Sequence, residues 1–393
     1  MALTAPPTWT RASRSLMAGN FAIGCGVMVV PGSLNDLSTS LAVSPAVAGQ
    51  LITVGAVAMG VGAPLLAALL GGIDRRWLLT LSLLWYAAGH AVAALMPDIA
   101  LLIPVRALGM LGAAVFTPQA AAAISVLAPP EQRGRAITTV FLGWSLASVL
   151  GMPISGYIAE TVGWRWAFAA VALLAAVAAA AVWRAIPDGV KPPPLSLSSW
   201  RQVLTHPLLM AMVAVTALSA AGQFTLFSYF APYYRQVIGA SAAGVSFLFF
   251  WFGAFALLGN VLLTRWVDRL GAARCANIGI ALMALSLLLW PLSGPGGGLG
   301  VMAAVMTPWA LGCFSSNSAQ QARLSASAPA LAPALLALNT SAIYLGQAAG
   351  AGGGGLLLAA VGFGPLPWAG LAWMLVALAV SSWAARRMAV AHA

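Results

Sequence analysis

Charged side chains are so scarce in this chain that each one able to do chemistry can be weighed by its place. The carboxylates are Asp36, Asp74, Asp98, Glu131, Glu160, Asp188 and Asp268. A nucleophilic or acid–base centre needs such groups gathered with histidines in one cleft. Here they are scattered singly, and all but Asp36 fall in or beside predicted loops. His90, His206 and His392 form no H-E-x-x-H pattern, and the one lysine, Lys191, belongs to no phosphate-binding loop, so neither zinc proteolysis nor ATP-driven chemistry is supported. Gly350-Ala351-Gly352-Gly353-Gly354-Gly355 formally satisfies G-x-G-x-x-G, but no strand precedes it. It reads as a closely packed helix segment. The odd, scattered cysteines Cys25, Cys275 and Cys313 are packing residues rather than a disulfide or zinc framework. No metal and no cofactor is expected.

Two charged groups remain as candidates for coupling or recognition. Arg106 stands inside a long apolar run. A cation there costs roughly 2.5–3.5 kcal/mol on insertion scales, so it must face the protein interior, either meeting a substrate or bracing backbone carbonyls. Asp36 follows the first apolar run, close enough to the level of Arg106 for the two to approach. A motion that alternated contact with the guanidinium and burial would bind and release a proton; the plain alternative is a solvated helix-end residue. Uncharged candidates also fall in the runs. Asn339, Thr340, Tyr344 and Gln347 recur at helical spacing near one face. Gln223, Phe227, Phe230 and Tyr234 follow one stripe of the seventh run, while Trp251 and Asn260 lie in the eighth and Asn317 in the tenth. Polar groups in lipid need partners, so these should line a cleft or a helix contact. The aromatic stripe reads equally well as packing.

The elements that must position these residues follow from composition. Of 393 residues, 61% are hydrophobic and 6% charged, against about 25% charged in a soluble domain. Apolar runs of about 20 residues, enough to cross a hydrocarbon core of about 30 Å, lie near 16–33, 48–70, 78–96, 101–127, 136–159 and 166–185. Six more lie near 208–233, 246–263, 276–292, 300–322, 335–360 and 366–385. The chain is therefore an all-α polytopic membrane protein of about twelve transmembrane helices. The segment from Arg11 and Arg14 into Leu16 has the look of a signal peptide, but no small-residue cleavage site follows, so it is read as the first span. Between the sixes, residues 186–207 contain Pro192, Pro193 and Pro194 with Asp188, Lys191 and Arg201, which no membrane helix tolerates. The expected division is a bundle over 1–185, a cytoplasmic linker over 186–207 and a bundle over 208–393.

The formal charge of +11 comes from basic residues placed singly or in pairs between apolar runs. That is a topology signal rather than a nucleic-acid surface. Arg75, Arg76, Arg133, Arg135, Arg184, Lys191, Arg201, Arg265, Arg269, Arg274 and Arg323 all fall on the side of the two ends, and only Arg165 and Arg235 fall opposite. Both termini should be cytoplasmic. The halves also resemble each other: Leu111-Gly112 and Ala128-Pro129 recur as Leu311-Gly312 and Ala328-Pro329 at an offset of 200, and Ser44 and Gly62 recur as Ser241 and Gly259 at an offset of 197. Two related six-helix units make a cleft at their interface, where transporters hold substrate near the midplane.

Over nearly its whole length the chain resembles the major facilitator superfamily, and within it the drug, sugar and metabolite exporters similar to arabinose-efflux permeases. Asp268-Arg269-Leu270-Gly271 with Arg274 resembles the signature cytoplasmic loop. An acid at a helix end beside arginines makes charge-assisted contacts that break as the halves rock. The first-half counterpart, Gly71-Gly72-Ile73-Asp74-Arg75-Arg76, departs from the pattern, with Gly71 where Asp268 stands, so a latch there would use Asp74. Arg106-Ala107-Leu108-Gly109 with Gly112 resembles the family's arginine motif, and Gly143 with Gly151-Met152-Pro153-Ile154-Ser155-Gly156 the glycine-proline motif associated with exporters. Asn339-Thr340-Ser341-Ala342-Ile343-Tyr344-Leu345-Gly346-Gln347 is the segment most similar to the arabinose-efflux subgroup. Relatives of that subgroup commonly carry an acid in the first span, where this sequence places Val27, in Gly24-Cys25-Gly26-Val27-Met28.

The resemblance implies a monomeric secondary exporter in a bacterial inner membrane. It would move a drug, sugar, nucleoside or related metabolite by alternating access, coupled to proton antiport; with Val27 at the position of the usual acid, Asp36 is the coupling candidate that the residues themselves offer. A facilitative or uptake transporter of the same fold is the alternative. A membrane enzyme would need clustered acids or a nucleophile in a cleft, and a transport-dead receptor or scaffold would bind a ligand without flux.

Overall fold

In lipid every backbone N–H and C=O must be satisfied within its own segment, so apolar runs of this length have the helix as their solution. The computed structural model describes residues 8–192 and 197–391, with the side chains of Thr8, Leu197, Thr264, Asp268, Ala389, Val390 and Ala391 outside the described residues. Among these residues there is no strand. The helices are α1 (Thr8–Ser40), α2 (Pro45–Leu69), α3 (Arg75–Ala94), α4 (Ile99–Leu127), α5 (Arg133–Val162), α6 (Trp164–Ala185), α7 (Leu197–Thr205) and α8 (Pro207–Phe227). They continue as α9 (Phe230–Gln236), α10 (Ala242–Leu270), α11 (Ala272–Leu289), α12 (Gly298–Ser327), α13 (Ala332–Val361) and α14 (Leu366–Ala391). Twelve segments are long and apolar enough to cross a membrane, α8 and α9 together forming the seventh. The helix α7 lies within the linker, of which Pro193 and Pro194 are outside the described residues.

Helix starts are written in the sequence. Ser44 accepts from Val47 N, Asp74 from Arg76 N, Asp98 from Leu101 N and Ser241 from Gly244 N, each satisfying a donor that the first turn leaves free. The repeated residues also meet as repeats. Gly62 packs against Leu111, and Gly259 packs against Leu311. The two Ala-Pro pairs each lead into a 3-10 turn, over Pro130–Gln132 and Pro329–Leu331.

Two expectations about element ends need correction. The first helix continues through Asp36 to Ser40, so Asp36 belongs to α1 rather than following it. The seventh span is not one continuous helix. Ser228 Oγ donates to Phe224 O at 2.8 Å and Tyr229 N turns to Leu226 O at 2.9 Å, which competes with the regular ladder and separates α8 from α9. Gln223 and Phe227 therefore sit on α8, while Phe230 and Tyr234 sit on α9.

Within the first half α1 packs along α5 and α6, and α2 and α3 flank α4; within the second, α13 and α14 flank α8 and α12 lies between α10 and α11. Glycines allow the closest seams. Gly346, Gly350 and Gly354 of α13 abut the carbonyls of Ala217, Ala221 and Thr225 of α8, four residues per step on both helices. The halves meet along α2 with α13, α5 with α10, and α1 with α9. The start of α1, the end of α14 and the linker helix α7 lie at one end of the bundle, here called the linker face; the other end is the opposite face.

Candidate functional site

Arg106, on α4, is buried at 4% exposure and bonds inside its own half. One terminal nitrogen donates to Gly26 O of α1 at 2.7 Å and the other lies 2.9 Å from His90 Nε2 of α3. His90 Nδ1 lies 2.9 Å from Tyr86 O. A carbonyl only accepts, so Nδ1 carries the proton and Nε2 accepts from Arg106, which makes His90 the neutral imidazole. Tyr86 Oη donates in turn to Ile23 O at 2.9 Å, so α1, α3 and α4 are tied through one polar cluster. Asp36 is elsewhere. Its Oδ2 accepts from Trp164 N at 2.6 Å, at the start of α6, and its Oδ1 accepts from Ser40 Oγ at 3.1 Å. The structure does not bring Asp36 and Arg106 together.

In the second half the polar residues gather between α8, α12 and α13. Thr216 Oγ1 donates to Asn339 Oδ1 at 2.6 Å, and Gln320 Nε2 donates to Met212 O at 2.6 Å. Asn339 Nδ2, Gln320 Oε1 and Asn317 Oδ1 are buried without a hydrogen-bond partner. Tyr344 and Gln347 are buried on the same helix as Asn339. Thr340 is turned to its own helix, donating to Leu336 O at 3.0 Å. The first half holds a matching cluster, in which Asn20 Nδ2 donates to Val140 O at 3.1 Å and Thr117 Oγ1 donates to Asn20 Oδ1 at 2.9 Å. Thr117 and Asn317 are separated by the repeat offset of 200.

The predicted aromatic residues form a core rather than a row. Phe227, Phe230 and Tyr234 are almost fully buried, with Phe230 stacked on Trp290 at a ring separation of 5.2 Å and also 5.2 Å from Trp309. Trp251 is half-buried and its Nε1 donates to Ala303 O and Thr307 Oγ1, which pins α10 to α12. Gln223 is half-buried. Ser318 donates to Asn260.

Closure at the opposite face involves residues the sequence reading left as loop positions. Glu160 of α5 accepts from Asn35 Nδ2 of α1 at 3.3 Å and pairs with Arg235 of α9 at 3.7 Å. Asn35 also donates to Ala231 O of α9 at 3.1 Å. The Asn35–Ala231 hydrogen bond and the Glu160–Arg235 ion pair both join the two halves. Beside them the Tyr229 ring packs into Gly49 of α2 and Gly355 of α13, and its hydroxyl donates to Ala351 O at 2.7 Å. Phe249 of α10 lies against Gly156 of α5.

Twelve membrane-length helices with contacts repeated along the chain describe the fold, and residues 16–351 match the Major Facilitator Superfamily. The chain belongs to the major facilitator superfamily. Its members are transporters of small molecules and not enzymes. The inner membrane transport protein YdhP of Escherichia coli strain K12 is 28% identical over 371 residues, covering 92% of this chain and 94% of that protein. A chloramphenicol resistance protein of Streptomyces lividans is 32% identical over 276 residues, 69% of each chain. Among solved structures, a D-xylose-proton symporter superposes with a TM-score of 0.77 at 18% identity, over 95% of this chain and 97% of that one. That likeness is one of fold.

In this major facilitator chain the motif residues divide by half. Gly151 and Gly156 let α5 approach Cys25 and Gly32 of α1, and Pro153 lies inside α5 between them. In the first-half loop Asp74 Oδ2 accepts from Gly189 N, Arg76 pairs with Asp188 at 2.7 Å, and Arg75 N donates to Val190 O at 2.9 Å. The Arg75 guanidinium is buried on Gly71 O and Ile73 O. This loop is tied to the linker. In the second-half loop Arg269 and Arg274 are exposed, and Gly271 has φ +81°, a left-handed conformation that a side chain resists. The side chain of Asp268 lies outside the described residues.

Sequence reasoning missed His90, Asn20, Gln320, Asn35 and the Glu160–Arg235 pair. For Asn20 and Gln320 the signal was available, since each is a polar side chain inside an apolar run. Arg323, counted with the loop arginines, is buried in α12 and bonds to Ser381 of α14 through its Oγ at 2.8 Å and its carbonyl at 3.1 Å.

Proposed function

We propose that this chain exports a small, uncharged amphipathic molecule across a bacterial inner membrane by alternating access, in exchange for protons and as a monomer, with both termini in the cytoplasm. The linker face is then cytoplasmic and the closed face is the outer one. The observation that carries the substrate class is the trio of unpaired buried atoms, Asn339 Nδ2, Gln320 Oε1 and Asn317 Oδ1. They offer an amide nitrogen as donor and two carbonyl oxygens as acceptors, and an unmet buried polar group favours a ligand that completes it. A small anion is disfavoured, because both terminal nitrogens of Arg106 are already committed to His90 and Gly26 O, leaving only its buried Nε free. Export is supported by the glycine-proline segment around Pro153 and by the name of the chloramphenicol resistance relative.

Asp36 is the coupling acid in this reading, leaving Trp164 N when the halves rock. A facilitative or uptake carrier is the second reading, favoured by the capping role that Asp36 already fills. The test is flux in proteoliposomes with chloramphenicol as the probe. Uphill accumulation under an imposed pH gradient supports antiport, and equilibration that ignores the gradient supports the second reading. Saturable binding without any flux would overturn both in favour of a receptor.

A further inference from the structure

Away from the cleft, on the membrane-facing side of the first half, α3 and α6 part near the linker face around a groove of about 400 Å³. Its walls include Trp77, Leu81 and Leu84 of α3 and Ala176 and Ala180 of α6. The small side chains on α6 leave the space, and the large ones on α3 stay uncovered: Trp77 is 52% exposed and Leu81 54%. At this depth the surrounding medium is hydrocarbon, so what fills an open apolar groove is a lipid chain.

The two ends of the groove differ. At the linker end Trp77 and Trp183 meet edge to face at 4.6 Å, the amphipathic ring pair typical of the headgroup level. Arg184 lines the groove there, is exposed, and has no hydrogen-bond or ion-pair partner among the described residues. The neighbouring Arg76 is occupied, held by Asp188 at 2.7 Å, by Trp183 O at 3.0 Å and over the Trp183 ring at 4.1 Å. Around this end Arg75, Arg76, Arg184 and Lys191 stand against Asp74 and Asp188, leaving an excess of positive charge. Thr80, only 8% exposed, also lines the groove, and its hydroxyl has no partner.

We infer that this groove is a binding site for one phospholipid with an anionic headgroup. One acyl chain lies between α3 and α6, the phosphate pairs with Arg184, and the Thr80 hydroxyl donates to an ester carbonyl below it. The free cation beside an apolar slot selects a lipid over a soluble anion, because each part alone would satisfy only half of the site. The inference depends on the membrane-spanning fold and is independent of substrate and coupling.

The test is native mass spectrometry of the delipidated full-length protein titrated with phosphatidylglycerol and phosphatidylcholine of identical chains, in wild type, Arg184→Gln and Ala180→Trp. Wild type retains one phosphatidylglycerol about five-fold more tightly than phosphatidylcholine, the gain typical of one interfacial cation. Arg184→Gln removes that preference, lowering phosphatidylglycerol binding more than phosphatidylcholine binding. Ala180→Trp fills the slot and lowers both. Equal retention of the two lipids by wild type, an unchanged preference in Arg184→Gln, or release of the lipid by millimolar inorganic phosphate would each overturn the site.

Discussion

Glu160→Gln removes the acid from the only ion pair that joins the two halves among the described residues. The pair is 3.7 Å long and its Arg235 side chain is 41% exposed, so its contribution belongs with surface pairs at about 0.5 kcal/mol rather than with buried ones. Asn35→Ala also removes the donor to Ala231 O, a partly buried hydrogen bond of about 1 kcal/mol. The single Glu160 variant should shift the balance toward the state open at this face by about two-fold, and the double variant by roughly ten-fold, if the terms add. Spin labels on cysteines placed at Ala100 and Gln236, both exposed at the opposite face, report the separation of the halves. The native Cys25, Cys275 and Cys313 are all buried and should stay unlabelled. A growing long-distance population in the order wild type, single, double is the expected result. An identical distance distribution in the double variant would show that apolar packing around Tyr229 and Phe249 holds the face shut, and that the polar trio has no part in gating.

Three further outcomes follow from the same geometry. His90→Phe leaves a buried Arg106 nitrogen without its acceptor and should lower stability by about 1–3 kcal/mol, while His90→Gln restores an acceptor and loses less; equal thermal midpoints for the two variants would remove His90 as the partner that matters. Asp36→Asn keeps an oxygen acceptor for Trp164 N, so it should leave the start of α6 in place and abolish uphill export driven by a pH gradient while sparing substrate counterflow. Unchanged accumulation would take Asp36 out of the coupling. A reporter fused after Ala393, and another inserted near Pro193, should both read cytoplasmic, and a periplasmic signal at either would reverse the assignment of the closed face.

What the sequence made legible was whatever is local or repeated. Twelve spans and the repeated pairs Ser44/Ser241 and Gly62/Gly259 could be read because each depends on a run or a period, and the structure adds that the serines cap helices and the glycines face Leu111 and Leu311. Asn35, Glu160 and Arg235 could not be, since the contacts that give them meaning join α1, α5 and α9 across most of the chain. His90 was invisible for a related reason: one histidine in an apolar run is unremarkable until Arg106 is known to lie beside it. The seventh span was read as unbroken because its apolar periodicity continues across Ser228, whereas the break comes from a single hydroxyl bonding back to Phe224 O. Asp36 falls past the apolar run that ends at Ser33, whereas the helix continues to Ser40 with its outer end resting on α6.

The glycine seam of α13 limits how this transporter's selectivity can diverge. At Gly346, Gly350 and Gly354 even a methyl group would overlap a carbonyl of α8, and at Gly355 it would meet Tyr229 and Gln50. Four positions on α13 are thus closed to any side chain. Chemical variety in α13 can enter at the polar positions Asn339, Thr340, Tyr344 and Gln347, or come from the facing helices. A library that randomises the whole helix would spend much of its diversity on variants that cannot pack, whereas one confined to those four positions, with Asn317 and Gln320 across from them, would sample altered cargo on an unaltered scaffold.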